Sequence, residues 1–368
     1  MARTVGVVGG GQLARMMLPP AVALGVELRV LAETEGSSAG IAPHVVGDYT
    51  DVETVLAFAR EVDVVTFDHE HVPQPVLERL VAEGVAVHPG PHALQFAQDK
   101  LRMRERLGEL GVPMPDWARV EDQEQLQAFL DDHGGRGVVK TPRGGYDGKG
   151  VRVVSSASEA ADWFDRGALL VEELVSFQRE LAQLVARRPS GEIAAWPVVE
   201  TVQLNGVCAE VFAPASPSLA ASAADEVART IADGLDVTGV LAVELFEAED
   251  GRLLVNELAM RPHNSGHWSI EGSETSQFEQ HLRAVLDLPL GSTMARSPHT
   301  VMINVLGGPA DGDLDGRYPA ALAASRDAKL HLYGKSPRPG RKIGHVTAWG
   351  DDLDDVVYRA RAVSAHFE

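Results

Sequence analysis

Short apolar runs alternate with stretches of helical spacing over the first ninety residues of the chain. The runs predict buried strands at Thr4–Val8, 27–31, 62–67 and 85–87. Between them, apolar residues recur every three or four positions, which predicts helices at 52–60 and 75–82. Strands that alternate with helices favour a parallel, Rossmann-like sheet covered on both faces. Pro19 and Pro20 predict that the first helix ends or bends there.

A second block begins near Asp99, where strands become more frequent than helices. It opens with a charged amphipathic helix at 100–110. Apolar runs predict strands at 137–140, 150–154, 169–172, 181–187, 192–197, 239–246 and 252–257, and helical spacing predicts helices at 158–164 and 223–234. The last two strands are joined by Glu249-Asp250-Gly251, and Asp-Gly is a favoured hairpin turn.

The end of the chain predicts a small third unit. A loop rich in glycine, aspartate and proline lies at 309–316, and 351–366 has helical spacing. The length of 368 residues is enough for two or three domains. We therefore expect a protein of mixed α/β and α+β class with three domains, at 1–99, 100–290 and 291–368.

Charge and cysteine content narrow the function classes. With 53 acidic against 33 basic residues, the formal charge is −20, a sign that repels nucleic acid and leaves small anions possible where positive charge is gathered locally. Cys208 is the only cysteine, so no intrachain disulfide forms. There is no apolar run of 18 residues, and the start, MARTVGVVGGG, is typical of a first strand and not of a signal peptide. We expect a soluble, cytoplasmic protein without a membrane or nucleic-acid partner.

The first glycine cluster allows two interpretations. Gly9 to Ala14 fits G-x-G-x-x-A after a strand, and Glu33 follows about 20 residues on, which is the dinucleotide fingerprint. An NAD-dependent oxidoreductase is therefore one hypothesis. The other is a tight strand-to-helix turn that needs small residues and whose helix amino terminus faces some other anion.

A second glycine cluster lies between two predicted strands. Gly144 to Gly150 holds four glycines in seven residues, so its backbone amides can approach phosphate oxygens closely. Lys140 and Lys149 supply positive charge. The segment is not a Walker loop, because no Ser or Thr follows Lys149. It predicts a lid over phosphates, and the alternative is an ordinary hairpin tip.

Two apolar strands further on each carry a glutamate. Glu244 and Glu257, with Asn256 beside the second, fall on the predicted hairpin. A carboxylate in an apolar strand is costly unless it is paired or bound to metal, and oxygen ligands suit magnesium that bridges phosphates. The alternative is that both face solvent on an edge strand.

Two polar segments complete the candidate chemistry. Arg261 opens a segment that places His263 and His267 four residues apart, but Pro262 and Gly266 make a regular helix there unfavourable, so zinc is not expected. Arg261 suits a fixed charge against an oxyanion or a phosphoryl group. The segment 335–345 gathers five basic or histidine side chains in 11 residues, which favours an anion site over a solvated loop.

Together these segments closely resemble the ATP-grasp ligases, and in particular the 5-(carboxyamino)imidazole ribonucleotide synthetases of purine biosynthesis. The resemblance covers nearly the whole chain and is carried by GGGQLARM, FDHEHVP, GGYDGKG, NELAMRPHNSGHW and RPGRKIGH. It implies a three-domain ATP-grasp fold and an ATP- and bicarbonate-dependent carboxylation of aminoimidazole ribonucleotide through carboxyphosphate, with release of ADP and phosphate. It also implies magnesium or manganese as the metal, and a homodimer.

The resemblance assigns roles to individual positions of this chain. It implies an ATP site at Lys100, Lys140, Gly144, Gly145, Tyr146, Asp147, Gly148, Lys149, Gly150, Glu172, Glu173, Leu174, Val175, Glu180, Gln203, Asn256 and Glu257. It implies metal ligands at Glu244 and Glu257. It implies catalytic contacts at Glu70, Tyr146, Lys149, Arg261, His263, Asn264 and Lys342. It implies a ribonucleotide site at Gly11, Gln12, Leu13, Asp147, His263, Asn264, Ser265, Lys335, Arg338, Arg341 and Lys342.

One position departs from the family pattern. Many members carry a histidine where this chain has Gln203, which can hydrogen-bond but cannot carry a proton. The remaining alternatives are a non-catalytic nucleotide-binding protein, an ATP-grasp ligase with another acceptor, and the oxidoreductase.

Overall fold

The computed structural model describes residues 3–145 and 149–367. The amino-terminal part contains a four-stranded sheet in the order β3-β2-β1-β4, and every pair in it is parallel. Its strands are β1 (Thr4–Val8), β2 (Glu27–Ala32), β3 (His44–Val46) and β4 (Val64–Phe67). Its helices are α1 (Gln12–Leu24), α2 (Val52–Ala59), α3 (Gln74–Ala82) and α4 (Pro91–Gln98). The parallel sheet was predicted, although 85–87 contributes only one bridge, from Val87 to Val65.

Helix α1 differs from its prediction, because it continues through Pro19 and Pro20 to Leu24. Two prolines remove two backbone donors from the helix. The helix nevertheless buries Met16, Met17 and Ala21 in the same apolar cluster as the strands beside it. Tertiary packing of that face therefore outweighs the lost hydrogen bonds.

A second, antiparallel sheet has the order β5-β8-β6-β7. Its elements are α5 (Lys100–Glu109), β5 (Trp117–Val120), α6 (Gln123–Asp132), β6 (Gly137–Lys140), β7 (Val151–Val154) and β8 (Leu169–Glu173). The helix predicted at 158–164 is a 3₁₀ helix, Ala157–Arg166. Its buried residues Ala157, Ala160 and Trp163 are three apart, which matches the 3₁₀ period better than the α period.

Among the described residues, the third sheet has nine strands in the order β14-β13-β9-β11-β12-β15-β17-β16, with β10 on β9. The strands are β9 (Phe177–Arg187), β10 (Ile193–Ala195), β11 (Val199–Leu204), β12 (Val207–Ala213), β13 (Gly239–Ala248), β14 (Leu253–Ala259), β15 (His299–Leu306), β16 (Ala328–Leu332) and β17 (Lys342–Gly350). The helices are α7 (Leu219–Gly234), α8 (Ser269–Gly272), α9 (Gln277–Val285), α10 (Tyr318–Ala324) and α11 (Leu353–Ser364), with short 3₁₀ turns at Asn264–Gly266, Asp315–Arg317 and Ala365–Phe367.

The nine-stranded sheet joins the central and carboxy-terminal parts of the chain. Strand β12 pairs with β15 in antiparallel register, so the sheet continues past residue 291. The β13–β14 hairpin, predicted from its Asp-Gly turn, is present, and β9 and β10 form a second hairpin. The exact domain boundaries at 99/100 and 290/291 stay predictions.

Candidate active site

A cleft of about 1650 Å³ lies where all three sheets approach one another. Ligand pockets usually have volumes of about 300–1000 Å³, so this cleft has room for more than one ligand. The predicted site residues that line it are Gly11, Gln12, Leu13, Glu70, Lys100, Lys140, Gly144, Gly145, Glu172, Glu173, Leu174, Val175, Glu180, Gln203, Glu244, Asn256, Glu257, Arg261, His263, Asn264, Lys335, Arg341 and Lys342.

Glu244 and Glu257 face each other across the β13–β14 hairpin. They are register partners, and a β-bulge follows directly after Glu244. Burial, and after it the Glu257 carboxylate, raises the pKa of Glu244 to about 7. Two carboxylates held together in this way favour a cation between them, as the hairpin pattern predicted.

Lys100 and Lys140 approach the carboxylate pair from two other elements. Lys100 is the first residue of α5, and its Nζ is paired with Oε1 of Glu257. Lys140 ends β6, and its Nζ lies 2.6 Å from Oε2 of Glu172 and donates to Oδ1 of Asn256 at 3.0 Å. Both ammonium groups therefore lie beside the acidic hairpin.

Arg104 completes this network and was not among the predicted residues. It is fully buried, and its Nε donates to Oε1 of Glu172 at 2.6 Å. Its two terminal nitrogens donate to the carbonyl oxygens of Val255 (2.7 Å) and Asn256 (2.8 Å). Burial opposes ionisation of Glu172, but Lys140 and Arg104 outweigh it and lower the pKa of that carboxyl. The Glu172 side chain is thus engaged by two cations inside the protein.

The two described ends of the glycine loop differ in their contact with the cleft. Gly144 and Gly145 line it, whereas Lys149 is exposed and, like Gly150, lies outside the lining residues. Gly150 has φ +72°, and a Cβ there would lie 2.4 Å from Oγ1 of Thr141, so this position requires glycine. The predicted contacts of Tyr146, Asp147 and Gly148 lie outside the described residues.

A nonpolar pocket with one carboxylate lies next to the lysines. The rings of Phe177 and Phe246 stack with centroids 4.8 Å apart, and both line the cleft beside Leu174. Burial raises the pKa of Glu180, which lies on the same strand as Phe177, and a hydrogen bond from Gln203 works against that rise. The stacked rings and the carboxylate suit a base and its sugar hydroxyls.

The segment after β14 forms the next wall of the cleft. Arg261 Nε donates to Oε2 of Glu70 at 2.7 Å, while Oε1 of Glu70 is buried without a protein partner among the described residues. Burial, and then Arg261 and Lys342, keep the pKa of His263 well below its usual value. Nε2 of this neutral ring lies 3.3 Å from Oε1 of Glu244, so His263 is placed against the carboxylate pair.

Asn264 and Ser265 follow in the same segment but differ in exposure to the cleft. Asn264 lines the cleft, and both polar atoms of its amide are buried without a protein partner in the described part of the chain. Ser265 is buried behind it and its Oγ lies 2.9 Å from Nδ1 of His263. The structure therefore gives Ser265 a supporting position, without contact to the cleft.

The far wall combines the first glycine turn with the basic carboxy-terminal segment. Lys335 Nζ donates to Oε1 of Gln12 at 2.6 Å, across 323 residues of sequence. A Cβ on Gly11 would lie 1.9 Å from Oδ2 of Asp68, so that turn has no room for a side chain. Arg341 lines the cleft, whereas Arg338 is exposed and is not among the described residues that line it. Of the two predicted arginines, only Arg341 faces the cleft.

The three parts of the chain match three family models in order. The ribonucleotide synthetase preATP-grasp domain matches residues 1–98, the ATP-grasp domain 105–278, and the phosphoribosylaminoimidazole carboxylase C-terminal domain 300–359. The N5-carboxyaminoimidazole ribonucleotide synthase of Mycobacterium tuberculosis is 52% identical over all of this chain and 88% of its own length. That of Synechococcus elongatus is 42% identical over 93% of this chain and 88% of its own length. The chain belongs to the N5-carboxyaminoimidazole ribonucleotide synthase family.

Solved structures of this family have the same fold. The N5-carboxyaminoimidazole ribonucleotide synthetase of Thermus thermophilus is 37% identical, with a TM-score of 0.89 over 99% of this chain and 98% of that one. An Aspergillus clavatus N5-carboxyaminoimidazole synthase in complex with ADP and 5-aminoimidazole ribonucleotide is 32% identical, with a TM-score of 0.90 over 99% and 98%. The predicted three-domain ATP-grasp ligase fold is confirmed.

Family membership decides against the NAD-dependent oxidoreductase. The structure explains why the fingerprint misled: Glu33 lies where a dinucleotide-binding protein places its ribose-binding carboxylate, but its Oε2 accepts from the backbone N–H of Gly10 and its Oε1 lies 3.1 Å from His69. The hydrogen bond with His69 lowers the pKa of Glu33 to about 2, although burial works against it. The Glu33 carboxylate is thus occupied by contacts within the protein.

Within the described residues, no helix is long and apolar enough to span a membrane.

Proposed function

We propose that this chain carboxylates the exocyclic amine of 5-aminoimidazole ribonucleotide with bicarbonate, at the expense of ATP, as a step of purine biosynthesis. The observation that carries the proposal is the single cleft with an acidic hairpin on one wall and the basic segment around Lys335 and Arg341 on the other. The acidic wall suits a nucleoside triphosphate with its metal, and the basic wall suits the phosphate of a second nucleotide.

ATP would lie between the second sheet and the nine-stranded sheet. Its base would rest against Phe177 and Phe246, with the ribose hydroxyls at Glu180 and Gln203. Its phosphates would reach Lys100 and Lys140 under the loop that starts at Gly144. In this arrangement the two lysines neutralise negative charge that spreads over the phosphoryl oxygens during transfer.

The Glu244 and Glu257 carboxylates fit a magnesium ion. They are close, shielded and mutually repulsive, as the raised pKa of Glu244 shows. In residues 3–145 and 149–367, no group of three or more His, Cys, Asp or Glu side chains can hold a metal alone. That agrees with magnesium, which takes one or two protein carboxylates and completes its shell with water and phosphate oxygens. When bound, the ion would neutralise phosphate charge and orient the γ-phosphate.

Bicarbonate and the ribonucleotide would meet at the wall formed by residues 261–264. A bicarbonate oxygen attacks the γ-phosphorus, the bond to ADP breaks, and carboxyphosphate forms. The amine nitrogen of the ribonucleotide then attacks the carboxyl carbon, phosphate leaves, and the nitrogen loses a proton. We assign Arg261 and Asn264 to holding the carboxyl oxygens. We assign proton acceptance to Oε1 of Glu70, which has no hydrogen-bond partner among the described residues.

The assay for this proposal measures phosphate release from ATP with magnesium and bicarbonate. Addition of aminoimidazole ribonucleotide should stimulate release and incorporate labelled bicarbonate into product. Absence of stimulation, or equal stimulation by another amine acceptor, would reject the substrate and favour a sister ligase. ATP binding without turnover would reject the enzyme. A homodimer and a cytoplasmic location stay predictions.

A further inference from the structure

Gln277, the first residue of α9, holds the main chain of the segment that carries His263. Its side chain is fully buried. The backbone N–H of His263 donates to Oε1 of Gln277 at 2.8 Å, and Nε2 of Gln277 donates to the carbonyl oxygen of His263 at 2.7 Å. The same Nε2 lies 2.9 Å from Nδ1 of His267. One amide thus satisfies both polar groups of the His263 backbone and contacts the next histidine.

Gln277 is itself fixed by the segment that it holds. Its backbone N–H donates to Oγ of Ser269 at 2.9 Å, and that hydroxyl donates to the carbonyl oxygen of Gly266 at 2.6 Å. A Cβ on Gly266 would lie 2.4 Å from Oε1 of Gln277 and 2.3 Å from Cδ2 of Leu184. The backbone at Gly266 therefore packs directly against the Gln277 amide, with no room for a side chain between them. The position of the amide thus fixes the position of the backbone of this segment.

The held segment carries three side chains that line the cleft. Arg261 reaches Glu70, His263 lies against Glu244, and Asn264 presents an amide without a protein partner in the described chain. Gln277 is not among the described residues that line the cleft. Any effect of Gln277 on the reaction must therefore act through the position of these three groups.

We infer that Gln277 is a positioning residue that keeps Arg261, His263 and Asn264 in place for capture of the carboxyl group by the ribonucleotide amine. The inference rests on the proposed function. A shift of about 1 Å in such groups can lower a rate on the order of 100-fold. A shifted segment would also allow water to take the carboxyl group, so that ATP is consumed without product. The wall of the cleft proposed to bind ATP is built from α5, β6 and β14 and is called the ATP wall below. It would keep its geometry.

Gln280 provides a matched control on the same helix. It is also fully buried, its Nε2 donates to the carbonyl oxygen of Gly291 at 2.7 Å, and its Oε1 accepts from the N–H of Gly291 at 2.8 Å. Gly291 is not among the described residues that line the cleft. Gln280→Met therefore removes the same kind of two-bond contact to one main-chain residue as Gln277→Met, in the same helix, at a backbone that does not line the cleft. Gln277→Met additionally removes the contact with His267.

The experiment compares Gln277→Met with Gln280→Met in the full-length protein. For each, ADP release and incorporation of labelled bicarbonate are measured in the same samples, together with KM for ATP and the folded fraction. The ratio of ADP to product does not depend on how much enzyme is active, so loss of folded protein alone leaves it unchanged. Gln277→Met should lower kcat for carboxylation about 10- to 100-fold and raise this ratio at least severalfold, with KM for ATP within about twofold.

Gln280→Met should keep the wild-type ratio and lose less than about threefold in kcat. Equal ratios in the two variants would overturn the inference. If Gln277→Met does not fold, two other variants replace it. Gln277→Glu keeps the acceptor for the His263 N–H, and Ser269→Ala removes the hydroxyl that accepts from the Gln277 backbone N–H. Both should raise the ratio to a smaller extent, and wild-type ratios in both would equally overturn the inference. Failure of the proposed function would be separate, because wild-type enzyme itself would then form no labelled product.

Discussion

The two walls of the cleft hold their charged groups differently. On the wall proposed to bind ATP, Lys140 and Glu172 are buried and paired with each other, and the buried Lys100 is paired with the partly exposed Glu257. On the ribonucleotide wall, Lys335 and Arg341 are only half-buried, and they come from a loop that packs on the first domain through Gln12.

The difference reflects what burial requires of a charge. Taking ions out of water is costly unless other charges and hydrogen bonds replace the water, and the ATP wall does so with its own network. The wall proposed to bind the ribonucleotide leaves Lys335 and Arg341 partly accessible to water. We therefore expect substitutions on the ATP wall to affect stability and catalysis together, and substitutions on the ribonucleotide wall to affect binding of one substrate.

Arg104→Met tests the buried network directly and has the largest expected effect. It would leave the Glu172 carboxylate with one cation and the carbonyl groups of Val255 and Asn256 without their donor. Breaking a buried pair costs about 3–5 kcal/mol, so urea unfolding should show a loss of that size. KM for ATP should rise at least about tenfold because Lys140 and Asn256 lose their support. Arg106→Met, which removes the half-exposed pair with Glu109 and one hydrogen bond to the carbonyl oxygen of Gly234, should cost less, about 1–2 kcal/mol. Similar losses in the two variants would mean that the network does not organise the ATP wall.

Glu257→Gln tests the carboxylate pair. Loss of one carboxylate should lower kcat about 100-fold, because Lys100 and the proposed magnesium ion would lose their shared partner. The thermal midpoint and the near-ultraviolet circular dichroism should remain those of a folded protein. Glu249→Gln, at an exposed position of the adjoining turn, is the control and should keep full activity. Turnover near the wild-type rate would remove Glu257 from the metal site.

Arg341→Ala and Arg338→Ala compare two arginines of the basic segment. Arg341 lines the cleft, whereas Arg338 is not among the described residues that line it, although the resemblance implied a ribonucleotide contact for both. Arg341→Ala should raise KM for the ribonucleotide about 10-fold and leave KM for ATP unchanged, since it removes a charge-assisted contact to phosphate. Arg338→Ala should change either KM by less than about threefold. The reverse order would mean that the ribonucleotide phosphate lies on the outer side of the loop.

On the ATP wall, the hairpin that carries the two glutamates was predictable because it is local in sequence. The Asp-Gly turn sets the register of β13 and β14, and that register brings Glu244 opposite Glu257. Arg104 was missed because the helix at 100–110 was interpreted only as amphipathic and charged. The available signal was its spacing of four residues from Lys100, which places both on one helix face.

The basic segment 335–345 was interpreted as an anion site from its local charge, but its place beside the first glycine turn was predicted through the resemblance alone, because those contacts join distant parts of the chain. The pair of Gln12 with Lys335 spans 323 residues, and periodicity carries no information about such pairs. The same holds for Gln277, which lies 14 residues after His263 and looks like an ordinary first-turn residue of a helix. The prolines of α1 show a related limit, because tertiary packing overrode a local rule.

Glu244→Gln is expected to change the free energy of unfolding by the smallest amount. It separates the effect of this carboxylate on metal binding from its effect on stability. The folded-state pKa of Glu244 is about 7, above its ordinary 4.5, so the folded protein binds its proton more tightly than the unfolded chain. The ionised carboxylate therefore destabilises the folded protein when no metal is bound. This loss of stability is absent below about pH 4.5, grows as the pH rises, and is complete above about pH 7.

In EDTA, Glu244→Gln should be more stable than wild type at pH 8 by on the order of 1 kcal/mol, because partial solvent access reduces the full linkage value. The two proteins should converge as the pH falls toward 5, in thermal unfolding measured at each pH. Glu249→Gln should show no such pH-dependent difference, since its side chain is exposed. Magnesium with ATP should reverse the order at pH 8 by stabilising only the wild-type protein, since ligand binding to the folded state adds stability. A constant difference between pH 5 and 8 would show that the pKa of Glu244 is not raised in the folded protein, so that neither burial nor the Glu257 carboxylate opposes its ionisation.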